Sequence, residues 1–147
     1  MCSVLLLVGN IFAQENKIKK ANKEFESYDY IDARKIYLNV VEDGYESAQI
    51  FEKLGDTYYF NSEYAEANKW YENLVNNYPN DVKSEYYFRV AQTLKSVGDY
   101  EKSKAMMEKF TASSNGSNLA QEQMNNWQSF EQLANSENNK FKVTNIT

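Results

Sequence analysis

Apolar residues recur three and four positions apart along most of the chain, the spacing that lays one face of an α-helix against a core. Turn residues divide the pattern at Gly44, Asn61-Ser62, Pro79 and Gly98-Asp99. Helices are therefore predicted near residues 15–28, 31–42, 47–60, 64–77, 82–96 and 100–112. A loop over Ala112–Asn118 follows, and then Leu119, Met124, Trp127, Phe130 or Glu131, and Ala134 mark a seventh amphipathic helix over 118–136. Alternation returns in Lys140–Thr147, where Phe141 and Val143 sit between polar residues as in a strand. This segment, 138–147, is read as the start of a following β domain or a tail.

The helical pattern repeats. Tyr30, Ala33 and Tyr37 are followed 34 residues later by Tyr64, Ala67 and Tyr71, and 36 further on by Tyr100, Ser103 and Met107. Self-similarity at this period is the mark of a helical solenoid, in which each hairpin buries its apolar face only against its neighbours. Within a hairpin two helices meet closely only where a small residue lets the backbones approach. Ala21 and Ala33, Gly55 and Ala67, then Ala91 and Ser103 occupy those points, while Phe25, Tyr37, Phe51, Tyr58, Tyr71, Tyr87 and Phe110 read as core. The open end of the stack needs a cover, and the helix over 118–136, with Trp127 inward, is the expected cap.

Composition narrows the chemistry. The 147 residues are 42% hydrophobic and 15% aromatic, enough for a folded core, and a single domain is expected. The net charge of −5, with lysines interleaved among acids, argues against nucleic acid or an anionic membrane as partner. Histidine is missing and Cys2 is the lone cysteine, which removes the commonest proton shuttle and the usual zinc ligand sets. No catalytic residue, cofactor or metal is predicted. The carboxylates pair on predicted outer faces, where nothing separates their acidities, so no enzyme is expected. The uncharged run Val4–Ala13 is too short to cross a bilayer core of roughly 30 Å but suits a signal peptide over residues 1–13.

The middle copy resembles the tetratricopeptide repeat: Phe51, Leu54, Gly55, Tyr58, Ala67, Tyr71 and Pro79 stand at that family's pattern of aromatic, Leu-Gly, Tyr, Ala, aromatic and Pro. The resemblance covers 14–112 as three repeats, about 14–45, 46–80 and 81–112, with 113–137 as loop and capping helix. It implies an all-α, tetratricopeptide-type solenoid of helical hairpins that binds another protein as a peptide or helix in a concave groove. By family register that groove holds Asn22 and Phe25, then Glu52, Asp56, Tyr59 and Phe60, then Phe88, Gln92 and Lys95. Phe25, Tyr59 and Phe88 are the expected hot spots. The five-residue carboxylate clamp of chaperone-binding members maps onto Ile18, Asn22, Lys53, Glu85 and Arg89. Only Asn22 and Arg89 fit, so capture of a C-terminal carboxylate is not expected. Export, tyrosine-rich repeats and the terminal strand together resemble the N-terminal region of OmpA-family envelope proteins, which carry repeats before a β-propeller and a peptidoglycan-binding domain. That resemblance implies a periplasmic, outer-membrane-associated scaffold, continued beyond Thr147; a self-standing periplasmic adaptor is the alternative.

Overall fold

The computed structural model describes residues 2–115 and 117–141. Among these described residues seven helices follow in order: α1 (Cys2–Glu26), α2 (Tyr30–Glu42), α3 (Ala48–Tyr59), α4 (Tyr64–Asn77), α5 (Ser84–Ser96), α6 (Tyr100–Ser113) and α7 (Asn118–Phe141). The turn residues mark the ends closely. α1 begins earlier than expected, because the apolar run before Gln14 continues the helix. α7 runs past residue 136, so Lys140 and Phe141 are helical; residues 142–147 of the expected strand lie outside the described residues.

Local chemistry sets these boundaries. Asp29, Ser47, Asp99 and Ser117 cap α2, α3, α6 and α7 by accepting the backbone N–H three residues on, at 3.2–3.3 Å. At the other ends one turn recurs. Tyr28 N–H donates to Phe25 O and Asp29 N–H to Glu24 O, Ser62 N–H to Tyr59 O and Glu63 N–H to Tyr58 O, Gly98 N–H to Lys95 O and Asp99 N–H to Leu94 O. Such a closure places its middle residue in the left-handed region, and φ is 63° at Tyr28, 62° at Ser62 and 85° at Gly98.

The chain divides into two compact units, Met1–Val82 and Lys83–Thr147. In Met1–Val82, α1 packs on α2, α2 on α3, and α3 on α4. Its core centres on Tyr37, Val40, Phe51, Leu54, Tyr71 and Leu74. In Lys83–Thr147, α5 packs on α6 and α6 on α7, around Ala91, Met107, Phe110, Ala120 and Trp127.

All six small positions are buried. Gly55 shows why: a Cβ there would lie 2.1 Å from Tyr71 Cε1, so the tyrosine ring rests directly on the glycine backbone. The tyrosine hydroxyls then find acceptors fifteen residues back. Tyr71 donates to Asp56 Oδ1 at 2.7 Å and Tyr37 to Asn22 Oδ1 at 2.6 Å. The third copy has Met107 at this position and uses another device: Trp127 Nε1 donates to Ser103 Oγ at 2.9 Å, and Ser103 donates to Ala91 O at 2.7 Å. Three of the expected core rings, Phe25, Tyr58 and Tyr87, are half-buried, and Tyr86 takes the interior place beside Tyr87.

Candidate partner-binding surface

The residues expected to line a groove are distributed among three environments. Glu52 and Asp56 are each only 3% exposed, which corrects their placement on an open face. For Asp56 the reason is the Tyr71 hydroxyl, which draws the carboxylate inward as its acceptor. Asn22 is half-buried and serves Tyr37 in the same way. Burial is the main cause that holds the Tyr37 hydroxyl above its usual range, followed by the field of Glu26 and Asp56, so it stays a neutral donor.

Phe88, Gln92 and Lys95 do not present an open face. They line a small cavity of about 80 Å³ under α7, together with Gln123, Asn126 and Trp127. Phe88 tilts against Phe110 with centroids 5.3 Å apart, and Lys95 Nζ lies 3.7 Å from the centroid of Phe130 on α7. Burial lowers the Lys95 pKa. α7 occupies this helix face as the next hairpin's first helix would.

Phe25, Tyr59 and Phe60 are brought together in Met1–Val82. Phe25 ends α1, and Tyr59 and Phe60 end α3, so the recurring turn carries all three to one edge. Tyr30 stacks on Phe60 at 5.2 Å with 30° between planes, and meets Phe25 edge-on at 5.2 Å. Tyr59 contacts Phe60 at 5.7 Å and Tyr64 at 5.4 Å, and Tyr28 contacts Tyr30 at 6.2 Å. Six rings thus form one continuous surface, of which Tyr28, Phe60 and Tyr64 are 79%, 44% and 38% exposed. Lys53 Nζ lies 3.8 Å over Phe25, and burial, then Tyr28 and Asp56, raise the Tyr30 pKa. The surface combines apolar ring area with tyrosine hydroxyls, the chemistry that anchors apolar side chains while tolerating water.

Tyr28, Tyr30 and Tyr64 were not among the expected binding residues. Tyr28 carries a signal that was available: it stands in the column of Ser62 and Gly98. A glycine adopts this left-handed backbone freely, whereas a tyrosine there costs roughly 1–2 kcal/mol. A strained backbone that holds the most exposed large apolar side chain among the described residues is hard to account for by folding alone. Tyr28→Gly is expected to raise the unfolding free energy by about 1 kcal/mol, read by denaturant titration; a loss of stability would show that the ring has a packing role.

Among the described residues no group of three or more His, Cys, Asp or Glu could hold a metal ion, and no helix is long and apolar enough to cross a membrane.

Residues 84–115 match the family model of the tetratricopeptide repeat. The match falls on the third copy, not on the middle copy with its fuller set of signature residues. No curated protein matches this sequence. Solved structures do match in fold. The first repeat domain of Spaghetti (RPAP3), bound to the HSP90 peptide SRMEEVD, is 16% identical with a TM-score of 0.66, over 79% of this chain and 90% of that one. PcrH in complex with the chaperone-binding region of PopB is 15% identical with a TM-score of 0.60, over 80% and 93%. MamA of Desulfovibrio magneticus RS-1 is 13% identical with a TM-score of 0.72, over 88% and 72%. The chain has the all-α fold of tetratricopeptide-repeat domains, and its third hairpin is a recognisable copy of that repeat.

Proposed function

We propose that this protein is a non-enzymatic interaction scaffold that captures a peptide or helix of another protein, with the aromatic edge of Met1–Val82 as its principal contact. The observation that carries this reading is Tyr28, held at φ 63° and 79% exposed within a run of six touching rings. Two structures of the same fold are described as bound to a peptide and to a chaperone-binding region, which supports the class of partner. The mode differs from carboxylate capture. Asn22 is engaged by Tyr37 and Lys53 lies over Phe25, so apolar anchoring is the better match to the residues present.

The partner segment therefore carries large apolar side chains. Panning a random-peptide library on the purified protein should enrich such sequences, and Phe60→Ala or Tyr59→Ala should weaken the selected peptides at least about tenfold with the fold retained. Peptides that bind wild type and both variants alike would remove this surface from consideration. The apolar run Val4–Ala13 and the tyrosine-rich repeats support a periplasmic setting, as the N-terminal module of an OmpA-family envelope protein. N-terminal sequencing of the native protein tests the export step: a start at Gln14 supports it, and retention of Met1–Ala13 opposes it.

A further inference from the structure

Between α6 and α7 lies an open cleft of about 500 Å³, walled by the rings of Tyr100, Trp127 and Phe130 and by Glu101, Lys104 and Glu131. It shares no residue with the aromatic edge of Met1–Val82. Its counterpart earlier in the chain is the junction of α2 with α3, where the second helix of a hairpin also meets the first helix of the next. There Arg34 fills the space. Its guanidinium carbon lies 4.1 Å from the centroid of Tyr58, Nη1 stands 2.9 Å from both Glu63 oxygens, and the side chain is only 13% exposed. The hydrogen bond from Arg34 lowers the Glu63 pKa, so the pair stays ionised.

Lys104 stands 70 residues after Arg34, as Tyr100 does after Tyr30 and Ser103 after Ala33. The third copy thus has an ammonium where the first has a guanidinium. Lys104 Nζ reaches Glu131 at 3.2 and 3.3 Å but stays 5.7 Å from the Trp127 ring, and its side chain remains 45% exposed. A compact ammonium cannot spread over a ring as a planar guanidinium does. What is left over is the cleft, and its walls carry two carboxylates against one ammonium. Glu101 is exposed and takes part in no ion pair among the described residues. Lys95, which lies outside the cleft walls, covers one face of Phe130; Tyr100 meets that ring edge-on at 5.3 Å.

We propose that this cleft is a docking slot for an arginine side chain of a partner protein, which places its guanidinium against the exposed ring of Tyr100, beside the edge of Trp127, with Glu101 as counter-ion, as Arg34 does internally against Tyr58 and Glu63. The volume leaves room for an apolar neighbour of that arginine. Lysine is the weaker ligand, since it supplies the charge without the stacking plane.

The test titrates Nα-acetyl-L-arginine amide, and separately its lysine counterpart, into the full chain and follows the two indole N–H signals by NMR. The Trp127 signal should shift saturably with arginine, at least about threefold more tightly than with lysine, while Trp70 stays still. Glu101→Gln should weaken arginine by at least about threefold, and Lys104→Arg, which supplies a guanidinium from within, should abolish the shift. No saturable shift at Trp127, equal binding of lysine, an unchanged affinity in Glu101→Gln, or wild-type binding in Lys104→Arg would each overturn the proposal.

Discussion

Trp127→Ala is expected to destabilise Lys83–Thr147 by about 3–5 kcal/mol, the range for removing a large buried aromatic side chain. The ring is 5% exposed within the cluster of Ala91, Met107, Phe110 and Ala120, so its removal leaves a cavity between α6 and α7. The indole N–H is also lost, and Ser103 Oγ, at 0% exposure, keeps only its bond to Ala91 O. Trp127→Phe separates the two effects: it restores most of the volume but not the donor, and should recover well over half of the loss. Denaturant unfolding followed by near-UV circular dichroism measures both. A loss below about 1 kcal/mol for Trp127→Ala would mean that α7 does not close this core.

Gly55→Leu should cost about 1–3 kcal/mol or more, because even the first added carbon meets the Tyr71 ring at 2.1 Å. The ring cannot slide aside without giving up its hydrogen bond to Asp56, a carboxylate 3% exposed. Gly55→Ala gives a graded control. It gains about 1 kcal/mol of helix propensity but still displaces Tyr71, so the clash should outweigh the gain. The first hairpin has the buried Ala21 at the register position of Gly55 and still keeps the matching tyrosine bond, from Tyr37 to Asn22. Unchanged thermal unfolding in Gly55→Leu would refute the close approach of α3 and α4.

The helices and their pairing were legible because their signals are local and repeated. Gly44, Pro79 and Gly98-Asp99 end or start helices whatever surrounds them, and Ala33, Gly55, Ala67 and Ser103 recur because each hairpin solves the same steric problem. The candidate binding face was harder to read. Register places Asp56 and Phe88 on the first-helix face, but accessibility depends on a tyrosine hydroxyl fifteen residues away and on a helix that begins 30 residues later. Neither distance is periodic. The aromatic edge was half visible: Phe25, Tyr59 and Phe60 follow from register, whereas Tyr28 emerges only once the turn is known to need a left-handed residue.

The first two hairpins fasten themselves, each by a phenol on its second helix and a polar oxygen on its first, with bonds that fix the rotation of one rod about the other. The third has no phenol at that position and is secured through a serine by an indole from the following element. Loosening α7 would therefore free the rotation of the third pair of rods while leaving the internal latches of the first two closed.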